Sequence, residues 1–306
     1  MISPDLNKEL TRVVYLNDEW RSRPLTIEPQ AGGLTNDNFR ITVDGYDGTL
    51  FGKIPGPGTE KFIDRKTANS AAKAAAQIGI SPQVYVFDEQ SGIEISEFLT
   101  EYHPATTLDF QDFEVAAGAM DLYRKWHSTQ KLPQTKTMID MVDEHFDQIQ
   151  VSGIELPGWT AEVLRNYRQA AAAFTASGLD LVPAHNDPMP GNFLLADGQP
   201  MKLIDFDYAA NNEASYELGL ILTEMFVGED EARELVERYA GGPNPQLFAR
   251  AQISRMIADT KWGLWGLINS AVRDDDFDYH KYGLWKLYRT FYIAGNPYFD
   301  KWLKQV

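Results

Sequence analysis

Apolar and polar positions alternate in one way over the first third of this chain and in another over the rest. Charged and apolar residues interleave over residues 1–20 as in a helix. Thr26–Gln30, Phe39–Val43 and Thr49–Ile54 then read as strands, the second by the alternation of Phe39, Ile41 and Val43. A turn at Pro55-Gly56-Pro57-Gly58 leads to an alanine-rich helix, with Thr59 as the expected cap and Gly79 as the stop. Gln83–Phe87 and Ile93–Ile95 are two further strands around a polar turn. Beyond Thr100 the period lengthens. Phe110, Phe113, Ala117, Met120, Leu122, Tyr123 and Trp126 recur mostly at three- and four-residue steps, and residues 140–150 and 160–175 behave alike. His127 closes its helix and is expected to be structural. The chain is therefore predicted to be α+β, with residues 1–99 forming one domain and 100–306 another.

Inside the helical part lies a short strand signal with chemistry at its ends. His185-Asn186-Asp187-Pro188-Met189-Pro190-Gly191-Asn192 is bent by two prolines and a glycine. Phe193–Leu195 and Met201–Ile204 flank the hairpin turn Asp197-Gly198, which returns Asp205 beside Asn192. An Asp, an Asn five residues on and an Asp ending an apolar strand suit phosphoryl transfer from a nucleotide. The carboxylate takes the proton of a hydroxyl while magnesium, held by oxygen ligands, bridges the phosphates. Asp187 is the candidate base, and Asn192 and Asp205 are the candidate metal ligands. Asp207 is a second contact or a second metal ligand. His185 is expected to pack the loop. The Gly32-Gly33 turn between two strands offers backbone N–H groups to phosphates, and Lys53 is the candidate cation for the α- and β-phosphates.

Composition narrows the partners. A formal charge of −16 over 306 residues disfavours nucleic acid and anionic membranes, and suits a cationic substrate. There is no cysteine, so disulfides and thiol catalysis are excluded. No apolar run reaches membrane-spanning length. The start, MISPDLNKEL, lacks the basic and apolar blocks of a signal peptide, so a cytoplasmic protein is expected. The oligomeric state is left open. Trp262, Trp265 and Asn269 share a helical face, with Phe277, Tyr279 and Tyr282 following; such a stripe is usually core, and around a pocket its ring faces would bind quaternary ammonium groups.

The loop from His185 to Asn192, the hairpin and the string DFDYAANNEASYELG resemble the choline/ethanolamine kinase family, relatives of the aminoglycoside phosphotransferases and, more distantly, of protein kinases. The likeness runs from about Gly32 to about Tyr282. It implies a two-lobed, protein-kinase-like fold with a small N-terminal antiparallel-sheet lobe carrying one main helix, and a larger, mostly helical C-terminal lobe. It implies ATP- and magnesium-dependent phosphorylation of a small amino alcohol, choline first, with ethanolamine or an aminoglycoside as alternatives. It places Asn36 and Asn38 at the phosphates and makes Ser96–Leu99 a hinge, with Glu97 and Leu99 at the adenine. Glu224 matches the acidic residue that meets the amine. Trp262, Trp265, Phe277 and Tyr282 match the aromatic cage, and Tyr279 is left to packing. One departure stands out: the helix glutamate that pairs with the strand lysine falls at Ala68, with Glu60 and Asp64 as substitutes. A kinase-like binding protein is the rival of a different class.

Overall fold

A computed structural model describes every residue except Met1, 33–35, Pro57, Glu60, Lys61 and Asp275. Glu60 and the middle of the predicted phosphate loop thus lie outside the described residues. The chain forms two compact units, residues 1–105 with 191–209, and residues 106–190 with 210–306. This differs from a single cut near residue 100. The reason is hydrogen bonding: strand 193–195 pairs with His103–Pro104 and with Lys202–Leu203, and the Leu203 N–H donates to the Ile80 carbonyl at 2.7 Å. The hairpin therefore travels with the first unit.

That unit is built on an antiparallel sheet of β1 (Leu25–Gln30), β2 (Asn36–Val43), β3 (Thr49–Pro55), β4 (Val84–Phe87) and β5 (Glu94–Glu97), in the order β1-β2-β3-β5-β4. Alternation sends Leu50, Gly52 and Ile54 of β3 to one face and Phe51, Lys53 and Pro55 to the other. Helix α1 (Pro4–Val14) covers the first face. Its Leu10, Val13 and Val14 join Trp20, Phe39, Ile41, Val43, Leu50 and Ile95 in one core. Each such aliphatic side chain contributes roughly 1.5–3 kcal/mol. A methyl group at Gly52 would stand 2.9 Å from Ile41 and 3.0 Å from Leu10, so glycine lets the helix close on the sheet. Helix α2 (Arg65–Gln77) begins later than expected. Asp64, not Thr59, caps it by accepting from the Thr67 N–H at 2.7 Å, while the Thr59 hydroxyl closes its own turn on the Gly56 carbonyl. Gly79 follows the helix at φ 74°, as a stop signal should.

The second unit is helical: α3 (Phe113–His127), α4 (Met138–Ser152), α5 (Thr160–Ser177), α6 (Ala214–Glu224), α7 (Glu229–Ala240), α8 (Pro245–Val272), α9 (Tyr279–Ala294) and α10 (Phe299–Gln305). A ribbon of residues 181–184 and 210–213 accompanies them. Helix α8 is the axis. It is buried on every side from Phe248 to Asn269, which is why it lacks a polar stripe. Small residues set its spacing. A methyl at Gly266 would lie 2.7 Å from the Cα of Gly283 in α9, and one at Gly219 of α6 would lie 2.5 Å from the Ala251 carbonyl. No helix among the described residues is long and apolar enough to cross a membrane.

Candidate active site

In the first unit the polar face of the sheet opens into a pocket. Asn38, Lys53, Ala68, Glu94, Glu97, Leu99, Asn192, Asp205 and Asp207 all line it. Strand register explains the core of the arrangement: Asn38, Lys53 and Glu94 stand opposite one another on β2, β3 and β5, so their side chains share a face. The Lys53 ammonium lies 2.6 Å from Asp207 and 3.2 Å from Asp205. Asn36 donates to the other Asp207 oxygen at 2.9 Å, and Asn38 donates to the Gly32 carbonyl at 2.7 Å, which ties the loop to the strand. Asp205 sits at φ 65°, a region that non-glycine residues rarely adopt, and such strain gathers at functional sites. The Asn192 carbonyl accepts from the Ile204 N–H at 2.9 Å, which fixes the hairpin base between the two candidate ligands.

Electrostatics in this pocket are dominated by burial and by Lys53. Burial pushes the lysine down, but the charges of Asp207 and Asp205 outweigh it, and its pKa ends above the ordinary value. Burial pushes Asp207 up, yet Lys53 and Asn36 leave it below the usual carboxylate range. Glu94 stays raised, because its burial outweighs the pull of Lys53. Ala68 faces the pocket without a charge, and Asp64 is committed to its helix cap.

In the second unit the loop before Asp187 is held by a buried acid that the sequence reading missed. Glu217 of α6 is fully buried. It accepts from the backbone N–H of His185 at 2.9 Å and of Asn186 at 2.6 Å, and it lies 2.8 Å from His127 Nε2. The other nitrogen of His127 meets the Tyr239 hydroxyl at 2.8 Å. Asn186, at φ 66°, accepts from Asn212 at 2.9 Å. The signal was present in Tyr216-Glu217-Leu218-Gly219, but the residue there reads as an ordinary helix position. His185 is buried and its Nδ1 accepts from the Asp187 N–H at 3.3 Å.

Asp187 itself is partly buried, and its charge reaches four groups of the same unit. It adds to burial in raising the phenols of Tyr123, Tyr216 and Tyr282, and it opposes burial at Lys261. The predicted rings cluster in the same unit, and among them Tyr282 feels the Asp187 charge. Trp262 and Trp265 are 5.5 Å apart, Trp265 and Tyr282 6.0 Å, and Phe277 and Tyr282 5.7 Å, centroid to centroid. Tyr279, expected to pack, is buried against Trp265 and Phe277. Two features were not foreseen. The Lys261 ammonium stands 3.0 Å over the Trp262 ring, and burial lowers its pKa to about 7. Glu224 is engaged by Lys286 and, at 2.9 Å, by Arg289, which also reaches Asp259 at 2.6 Å.

An antiparallel sheet with one main helix in the first unit and a helical second unit are the elements of the protein-kinase-like fold. The model of the choline/ethanolamine kinase family matches residues 27–240, more than half of the chain. The protein belongs to that family. A crystal structure of a choline/ethanolamine kinase family protein from Mesorhizobium loti superposes with a TM-score of 0.83 at 26% identity over 98% of both chains. A probable choline kinase of Arabidopsis thaliana is 22% identical over 84% of each chain. A probable ethanolamine kinase of the same plant is 19% identical, covering 84% of this chain and 76% of its own. The chain is thus a small-molecule kinase that uses ATP and phosphorylates the hydroxyl of an amino alcohol, on the α+β fold expected.

Proposed function

We propose that this enzyme transfers the γ-phosphoryl group of ATP to choline, with magnesium. The observation that carries the choice is the ring cluster of Trp262, Trp265, Phe277 and Tyr282 in the same unit as Asp187. Ring faces attract a methylated ammonium that water hydrates poorly. A primary ammonium needs hydrogen-bond acceptors instead. The acids nearest in role, Glu224 and Asp259, already share Lys286 and Arg289. For Glu224 to meet the amine it would have to release one of these cations.

Asp187 holds the acceptor hydroxyl and takes its proton. Lys53 grips the α- and β-phosphates, Asn36 and Asn38 stand at the phosphates beside it, and the backbone around Glu97 and Leu99 receives the adenine. Magnesium fits the donor set of the first unit. Around the Lys53 ammonium stand the carboxylates of Asp205, Asp207 and Glu94, an excess of negative charge that a divalent cation offsets. Among the described residues no three acidic or histidine side chains form a closed metal cage. That suits an ion that keeps water and phosphate oxygens as ligands. Asn192 and Asp205 would hold it, and it would supply charge neutralisation at the phosphates.

The test is magnesium-dependent ATP consumption with choline, ethanolamine and aminoglycosides. We expect kcat/KM to be at least tenfold higher for choline. Ethanolamine equal to or better than choline would overturn the choice of acceptor. Consumption stimulated by none, with nucleotide binding intact, would favour a binding protein.

A further inference from the structure

Kinase-like folds pair the strand lysine with a glutamate on the main helix of the small lobe, and here that helix offers Ala68. We propose that Glu94, reaching across from strand β5, is the carboxylate that positions Lys53 for the nucleotide phosphates. The inference rests on the first-unit pocket being the nucleotide site.

Three observations carry it. Lys53 and Glu94 are direct partners in the β3–β5 ladder, so their Cβ atoms lie about 5 Å apart on one face. Both line the pocket, and so does Ala68. The residues of α2 that line the pocket are Arg65, Ala68 and Ala72, none of them an acid, and Asp64 is spent on the Thr67 N–H. The two carboxylates that now touch Lys53 are Asp205 and Asp207. Asp205 is also the proposed metal ligand, and a carboxylate oxygen that binds a hard dication no longer balances a lysine to the same degree. Lys53 then needs an anchor that is not itself a ligand. Glu94 is the acid placed for that by strand register. A glutamate moved from helix to strand would keep the ion pair while making it independent of any shift of α2. Glu94 is in this account a positioning residue, acting through Lys53.

The experiment compares the full-length protein with Glu94→Gln, with Ala68→Glu, and with the two combined. Binding of ATP with magnesium and binding of adenosine are titrated separately, without acceptor. Adenosine lacks the phosphates that Lys53 holds. We expect Glu94→Gln to weaken ATP at least tenfold and to leave adenosine within twofold. Ala68→Glu in that background should restore ATP to within threefold of the wild type, because the helix carboxylate then replaces the strand carboxylate. Thermal melting checks that each variant is folded. Unchanged ATP affinity in Glu94→Gln would overturn the proposal. So would equal weakening of ATP and adenosine, which marks a collapsed pocket, or a folded double variant that recovers nothing. A wild-type protein that binds no ATP would instead overturn the reading of the pocket itself.

Discussion

The two units settle buried charge in opposite ways. In the first, Asp205, Asp207 and Glu94 all act on the Lys53 ammonium, with Lys73 as a second cation acting on Glu94, so the acids outnumber the cations. In the second, Glu224 and Asp259 share Lys286 and Arg289, two acids with two cations. Glu217 there is satisfied by two backbone N–H groups and His127 rather than by a permanent cation. Internal balance fixes a shape, since every partner is covalently part of the chain. Imbalance leaves a role for a charge brought from outside. The contrast therefore separates groups that hold the scaffold from groups that await a ligand. Asp187 is the informative member of the second unit, because it stands near balanced pairs and is still expected to do chemistry.

Breaking the contrast at Asp187 should have the largest effect. Asp187→Asn removes the proton acceptor and preserves the shape of the side chain. We expect kcat to fall by roughly 10³-fold, within the range usual for a general base, with KM for ATP little changed. Steady-state kinetics at saturating acceptor measure this. A loss under tenfold would assign the proton to another group.

Glu217→Ala attacks the scaffold side of the comparison. It strands two backbone N–H groups and His127 in a buried place, and such losses run to about 3–5 kcal/mol. Chemical denaturation should show it. Activity should fall as well, because residues 185 and 186 lead directly into Asp187. A variant with wild-type stability would mean that Glu217 is not the anchor.

These two predictions also mark what the sequence could and could not say. The hairpin that returns Asp205 beside Asn192 was legible because proline, glycine and a turn signal fix its spacing. The helices Phe113–His127, Met138–Ser152 and Thr160–Ser177 were legible in the period, whereas Glu229–Ala240 and Phe299–Gln305 were not read from the sequence. Glu217 was not legible. A buried acid and an exposed acid look the same in a helix, and only the backbone N–H groups of residues 185 and 186 that donate to it tell them apart. Lys261 was hidden for a similar reason. Periodicity leads one to expect a lysine at a polar edge, but α8 is buried all round and has no such edge. The start of α2 was misread because Thr59 and Asp64 are both good caps, and the choice between them was made by the turn at Gly56.

Trp262→Ala sharpens the acceptor side. The ring faces hold a methylated amine by attraction worth about 2 kcal/mol when water is excluded, so KM for choline should rise roughly 30-fold. Ethanolamine should be affected several-fold less. Equal effects on both substrates would count against a cage.

The smallest expected effect concerns Lys261, a buried ammonium of the second unit that stands over the Trp262 ring. Burial lowers its pKa to about 7, against 10.5 for an ordinary lysine, with Asp187 acting the other way. The sign of the consequence follows from proton counting. Between these two values the unfolded chain keeps a proton that the folded chain has lost, so stability rises with pH across that window. Below about 7 both forms are protonated and the burden of the buried ammonium is full. Lys261→Met keeps the length of the side chain and removes the charge. It should therefore raise stability most at pH 6–7, by on the order of 1 kcal/mol after loss of the contact with Trp262, read as a higher melting temperature. The gain should shrink steadily toward pH 10. Melting curves of both proteins from pH 6 to pH 10 test this, and a gain independent of pH would show that the ammonium carries no electrostatic burden. The same variant sharpens the comparison of the two units. Lys53 is stabilised as a cation by the acids around it, so Lys53→Met should show no such rise, and the opposite response of two buried lysines separates a charge held for a ligand from one held against a ring.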